Sequence, residues 1–355
     1  MAMMRLEKRL EPGRIVRLVV PLIAVMVGIL LGGVVIEVGG NNAVSAYKVM
    51  FGSAFGSIQG WKSTLTQATP LILTGLAVAI PARMGLWNIG GEGQLTMGAI
   101  AATGIGLFVP LPGLLLPLAM VVGAMFAGAA WALIAAVPRA TRGLNEIIVT
   151  LFLNYIAIQF MSYLVNGPWG DRSAIGFAYS PAIPDRADLL QLTDTLTIGI
   201  LIALAVAAMA AWISNSTPAG LSARLIGAGD RLSLYLRLPV ARLVITGFLA
   251  SGAIAGLAGA IQVMGVTERL EPGISASYGY IGILVAFLAG GSIAGVVIAA
   301  IFYGALIVGG LALQGSGVSS DISTVVQALI VLFLLAAQVA VHYRVALRKP
   351  RAAVR

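Results

Sequence analysis

Few residues in this chain could do chemistry. The densest polar group is Gly85–Leu86–Trp87–Asn88–Ile89–Gly90–Gly91–Glu92–Gly93–Gln94. Asn88 and Glu92 are four apart, so a helix through them would place both on one face. The glycines permit a close backbone approach or a break in that helix. Two readings stand side by side. Asn88, Glu92 and Gln94 line a solute path, or Asn88 and Glu92 bond neighbouring backbone at a tight helix crossing. A second group is Arg142–Gly143–Leu144–Asn145–Glu146, followed by Asn154, Tyr155 and Gln159. Asn145 suits an N-cap and Glu146 the first turn of a helix. Asn154 lies deep in the apolar run that follows and has no local role, so it is the candidate to face a lumen. Gln262, Gln314 and Gln327 are isolated, and helix–helix hydrogen bonding is the expected use of each.

What is missing narrows the chemistry. No Gly-x-x-x-x-Gly-Lys-Ser/Thr loop occurs. In the nearest stretch, Gly56–Ser57–Ile58–Gln59–Gly60–Trp61–Lys62–Ser63, Trp61 separates glycine from lysine. The single histidine, His342, sits at the edge of an apolar run. Cysteine is absent, which removes disulfides and thiolate metal sites. Paired carboxylates, a Ser–His–Asp set and a chain of intramembrane acids are all lacking. The chain reads as a non-enzyme without a cofactor of its own.

The elements that must position these residues are membrane helices. Hydrophobic residues make up 59% of the 355 and charged residues 10%, against about 25% charged in an ordinary soluble domain. Apolar runs able to cross a ~30 Å hydrocarbon core recur throughout. Ten spans are expected, over 18–36, 65–82, 84–108, 114–137, 146–166, 195–213, 243–264, 278–296, 297–314 and 323–341. The third, with its glycines, is a candidate broken helix. The first reads as a retained helix rather than a signal peptide. In the seventh, Gly252 and Gly256 have Gly-x-x-x-Gly spacing beside Ser251, Ala255 and Gly259, which suits either an internal crossing or a dimer seam.

The net charge of +9 is not a nucleic-acid signature, because Lys and Arg flank the apolar runs. With a cytoplasmic N-terminus, 17 of the 22 basic residues fall inside, as the positive-inside rule demands. The expected layout is an all-α polytopic membrane protein: a cytoplasmic segment 1–17, one transmembrane domain 18–341 and a basic cytoplasmic tail 342–355. Outside, 37–64, 167–194 and 265–277 exceed tight turns, and the second suits a lid or docking surface. Inside, the loop 214–242 carries Arg224, Asp230, Arg231, Tyr235 and Arg237 beside leucines partly at helical spacing. It is either a solvated or interfacial segment or a short helix touching a partner protein, and Thr217–Pro218 could start that helix.

The stretch Asn88–Ile89–Gly90–Gly91–Glu92–Gly93–Gln94 after Gly-Leu-Trp resembles the Asn-Ile-Gly-x-Glu-Gly-Gln signature of ABC-importer permeases of the ribose-permease-like group. Gly143–Leu144–Asn145–Glu146 with Thr150, Leu153, Asn154 and Tyr155 is similar to a segment of its nucleoside-type members. The likeness covers roughly 60–340. It implies a dimer of permease subunits in the cell membrane, a separate ATP-binding cassette subunit that holds ATP and Mg, and an extracytoplasmic binding protein. It also implies that residues 222–238 carry the coupling helix, with Arg224, Gly227, Asp230, Arg231, Tyr235 and Arg237 as contacts. The chain departs from the family pattern at Gly227–Ala228–Gly229–Asp230–Arg231 and at Gly290–Gly291–Ser292–Ile293. The mostly uncharged interior suits a neutral hydroxylated or nucleobase-bearing solute, with Trp87 or Tyr155 in aromatic contact. The alternative is a stand-alone secondary carrier or channel.

Overall fold

The computed structural model describes residues 3–8, 14–173 and 176–348. Their ordered structure is almost entirely helical. Eight helices are long and apolar enough to cross a membrane: α1 (Arg14–Val38), α3 (Ile58–Ala82), α5 (Leu115–Arg142), α6 (Glu146–Asn166), α7 (Gly199–Ser216), α10 (Val240–Gln262), α12 (Ile293–Gly315) and α13 (Ser320–His342). Between them lie α2 (Ala43–Phe55), α4 (Gly91–Phe108), α8 (Pro218–Ala228), α9 (Asp230–Tyr235) and α11 (Tyr278–Leu288).

Two of the ten expected spans have other helix bounds than expected, and the third is broken as its glycines suggested. The third, expected over 84–108, is helical only from Gly91, and the residues before it run as turn and coil. The eighth, expected to reach residue 296, stops at Leu288. Gly290 and Gly291 follow with φ of 57° and 84°, a conformation glycine adopts without a Cβ penalty, and α12 resumes at Ile293. Eleven residues rise only about 16 Å at 1.5 Å each, roughly half of a hydrocarbon core. The stretch expected as the loop 37–64 holds α2, capped where the Asn42 side chain accepts from Ser45 N–H at 2.8 Å. There α3 also begins earlier than expected.

The chain divides into two compact units. One comprises residues 1–57 and 306–355. In it α1 packs on α13 so closely that a Cβ at Gly28 would lie 2.8 Å from the Ile330 Cα. The Tyr47 hydroxyl of α2 donates to the Ile29 carbonyl of α1. An antiparallel ribbon pairs β1 (Met3–Lys8) with β2 (Tyr343–Arg348), so the described ends of the chain lie together. The side chains of 3–8, 14–18 and 342–348 lie outside the described residues, and with them most of the charges expected at the termini.

The second unit comprises residues 58–305, with α3, α4 and α10 mostly enclosed. Its packing follows a stripe in α5. Leu116, Met120, Ala124, Gly128, Ala132 and Ala136 recur every four residues and are buried, while Leu118, Val122 and Phe126 are exposed. Apolar burial drives little helix association in lipid, where small residues and close backbones take over. The Gly252–Gly256 spacing of α10 meets this stripe. A Cβ at Gly256 would strike the Ala124 carbonyl, one at Gly252 the Gly128 carbonyl, and one at Gly259 the Leu95 carbonyl of α4. The glycine face is thus an internal three-helix crossing.

Candidate functional site: two interrupted helices

The break before α4 begins in α3. Pro81 has no N–H, so the carbonyl four residues earlier, Ala77, lacks its helical donor. The Ser251 hydroxyl of α10 supplies one. Ser251 in turn accepts from Asn88 Nδ2 at 2.6 Å. Asn88 Oδ1 accepts from Gly90 N–H at 2.9 Å, closing an Asx turn. Asn88 and Gln94 also pair through both amide ends, at 2.8 and 3.1 Å. Each polar atom of Asn88 is thereby engaged, which a buried amide requires.

Asn154 of α6 completes the break. Its Oδ1 accepts from Gly93 N–H at 2.8 Å, and its Nδ2 donates to the Ile89 carbonyl at 2.9 Å. Gly93 and Ile89 are four apart, the spacing of a helical hydrogen bond. The side-chain amide stands between the two groups that would otherwise bond each other, so the helix starts at Gly91. Asn154, the residue expected to face a lumen, is wholly enclosed here.

Asn88 and Glu92 do not share a helix face either, because Asn88 precedes the helix. Glu92, in the first turn of α4, points to the start of α11. Its carboxyl oxygens accept from the Ser275 hydroxyl and, at 2.9 Å, from Gly279 N–H. A Cβ at Gly279 would strike the Glu92 backbone, so only glycine lets the two helix starts cross there. Both N-termini carry the partial positive charge of their unpaired N–H groups, and an acid oxygen between them meets that charge. Two part-length helices thus meet start to start, joined by one acidic side chain.

Aromatic residues border this junction where it is less enclosed. Trp87 is half-buried and stacks on Phe287 with centroids 4.7 Å apart and planes 16° apart. Tyr280, in the first turn of α11, lies near Asn154 and Tyr155. Tyr155 is 59% exposed. Sequence reasoning picked out Trp87 and Tyr155 but missed Tyr280, Phe287, Ser251 and Ser275. The Tyr278–Gly279–Tyr280 triplet after the small residues of 273–277 was the available signal for Tyr280.

At the other end of the interrupted segment, Asn145 caps α6 as expected, accepting from Ile147 N–H at 2.9 Å. Glu146 accepts from Trp87 N–H at 3.2 Å and pairs with Arg139 at 3.2 Å. Thr217 caps α8, accepting from Gly220 N–H at 3.3 Å, with Pro218 in the first turn. Arg224, Arg231, Tyr235 and Arg237 are exposed, and the Asp230 side chain lies outside the described residues. Ile226 of α8 is buried with Met84 and Leu86 of the interrupted segment and with Val244 and Phe248 of α10. A Cβ at Gly227 would strike the Arg83 carbonyl. α8 therefore leans directly on the chain that leads into the break.

Opposite lie the loops 167–198 and 263–277, which lace together. Ser180 N–H donates to the Leu270 carbonyl at 2.9 Å, and Ile183 N–H to that of Glu268 at 2.8 Å. In this layer burial, with Glu268 and Asp185 nearby, pushes the Asp188 carboxyl up. Hydrogen bonds from Ser173 hold the Asp171 carboxyl down.

Residues 61–335 match the family described as branched-chain amino acid transport system / permease component. Among similar proteins, the guanosine ABC transporter permease protein NupP of Bacillus subtilis is 37% identical, over 90% of this chain and 94% of its own length. The glucose ABC transporter permease protein TsgB13 of Haloferax volcanii is 33% identical, over 96% and 94%. The nucleoside ABC transporter permease protein NupB of Lactococcus lactis is 31% identical, over 90% of each chain.

Proposed function

This chain belongs to the permease-component family of branched-chain amino acid transport systems and is the multi-pass membrane subunit of an ABC transporter; from that premise we propose that it imports a nucleoside, driven by a separate ATPase. The observation that carries the proposal is the exposed α8–α9 pair seated on the segment that enters the interrupted helix. A force on Arg224, Arg231, Tyr235 and Arg237 reaches Asn88 within a few residues. The residues 214–242 are then the coupling loop of a transmembrane domain 18–341. Asp230 belongs to the same face by its place in the chain.

In this reading α4 and α11 count as the third and eighth of ten crossings, and both termini lie in the cytoplasm, as the basic loops require. The partners are a cassette ATPase that holds ATP and Mg, a second permease subunit and an extracytoplasmic binding protein. The laced loops 167–198 and 263–277 would meet that binding protein. Asn88, Glu92, Gln94 and Asn154 belong to the solute path as its fixed frame, while Trp87, Tyr155, Tyr280 and Phe287 are the surfaces left for a planar base. The relatives named for guanosine and nucleosides favour such a solute, and the one named for glucose keeps a simple sugar as the second reading.

The test is the double variant Arg224→Glu with Arg231→Glu. It should insert normally and abolish both uptake and substrate-linked ATP hydrolysis. Uptake equal to that of the unaltered chain would remove the coupling assignment.

A further inference from the structure

Arg83 touches the end of α8 and the last turn of α7, just ahead of the start of α8. Its carbonyl faces Gly227 at the end of α8, where no side chain fits. Its guanidinium donates to the carbonyl of Ser214, in the last turn of α7 just ahead of α8, at 3.4 Å. A Cβ at Gly220 in the first turn of α8 would strike that same Ser214 carbonyl. The other terminal nitrogen donates to the Gly291 carbonyl, in the turn after α11, at 3.3 Å. A cation suits this place, since the carbonyl ends of helices carry partial negative charge. Arg83 also stands five residues before Asn88 on the same strand of chain.

Resting on the reading of α8–α9 as the ATPase-facing element, we propose that Arg83 is the positioning residue that carries a displacement of α8 to both interrupted helices. Its backbone passes the movement along the chain to Asn88 and α4. Its side chain passes it across to the turn behind α11. Glu92 joins the starts of those two helices, so they are held at one junction and pulled from one residue.

The state of the clamp supports a moving part rather than a fixed brace. Both bonds are long for a charged donor, whose usual range is about 2.7–2.9 Å. The buried Nε finds no partner among the described residues. Arg224, at the outer face of α8, is close enough to lower the Arg83 pKa, with burial the larger cause. The guanidinium is thus held where it is incompletely satisfied. A shift of the α7–α8 corner that shortens the bond to Ser214 would be favoured by that deficit.

The experiment uses the whole transporter, with this chain, its permease partner, the ATPase and the binding protein, in nanodiscs and proteoliposomes. Arg83→Ala, Arg83→Lys and Gly227→Ala are compared for ATPase co-purification, for basal hydrolysis, for stimulation by guanosine-loaded binding protein and for guanosine uptake. The expected result for Arg83→Ala is wild-type ATPase content and basal hydrolysis, with stimulation and uptake both reduced about tenfold or more, a coupling loss of the usual allosteric size. Arg83→Lys retains part of the stimulation, because an ammonium reaches carbonyls without the two-pronged geometry. Gly227→Ala drives a methyl group into the Arg83 carbonyl and should lower stimulation and uptake through the backbone of Arg83. Wild-type stimulation in Arg83→Ala would overturn the proposal, and so would loss of the ATPase from that complex, which marks a structural brace. Failure of the α8–α9 reading itself shows elsewhere, as unimpaired coupling in the Arg224→Glu, Arg231→Glu chain.

Discussion

Replacing Asn154 by leucine tests the account of the break at its hinge. Leucine keeps the branched outline of asparagine, is somewhat larger and cannot bond, so Gly93 N–H and the Ile89 carbonyl both lose their partner while the space between them stays occupied. An orphaned buried polar group costs about 1–3 kcal/mol, which for two groups sets an upper range of about 2–6 kcal/mol. Hydrogen bonds within bilayers average nearer 0.6 kcal/mol in double-mutant cycles, which for two sets a floor of about 1 kcal/mol. We expect about 2–3 kcal/mol, because the site is wholly enclosed. Tyr155→Phe, on the exposed side of the same helix, should cost under about 0.5 kcal/mol, as surface changes usually do. The assay is unfolding in mixed detergent followed by circular dichroism. Asn154→Leu and Tyr155→Phe with equal stability would refute the claim that Asn154 holds the interruption open.

Two other outcomes follow from the geometry. Gly256→Val drives a side chain into the Ala124 carbonyl of α5; overpacking of this kind costs about 1–3 kcal/mol, and a lowered thermal midpoint of the purified chain checks it. Asp188→Asn acts through charge. Because burial and the neighbouring acids raise the folded carboxyl above its unfolded value, the protonated form is the favoured one, and its contribution fades as pH rises through the raised pKa. The variant should therefore gain stability relative to the unaltered chain as pH climbs from the acidic range to neutrality, and a constant difference in melting midpoint across that range would contradict the assignment.

The membrane helices were legible because hydrocarbon imposes a length and a polarity that few residues violate. α6 falls on its expected residues, and α5, α10 and α13 nearly so. Where the reading went astray, a local rule lost to a distant partner. Asn88 and Glu92 at helical spacing suggested a shared face, yet Ser251 and Asn154 claim the backbone there and start the helix late. Nothing near residue 88 announces a serine 163 positions away. The short α11 was hidden because Gly290 and Gly291 look no different in composition from the many glycines inside spans. α2 was missed because its buried face is only Ala46, Met50 and Ala54, too small to register as amphipathic. The polar cluster stood out in the sequence, and its polar atoms hold the backbone. Of the aromatic residues beside it, Trp87 and Tyr155 were visible, and Tyr280 and Phe287 were not.

The central claim is that this chain moves its solute only when another protein hydrolyses ATP. The direct measurement is uptake of radiolabelled guanosine into proteoliposomes holding the permease pair, with binding protein outside and ATP inside, in the presence and absence of the cassette ATPase. The account predicts uptake that requires both the ATPase and hydrolysable ATP. Uptake by the permease alone, driven by an ion gradient, would contradict it.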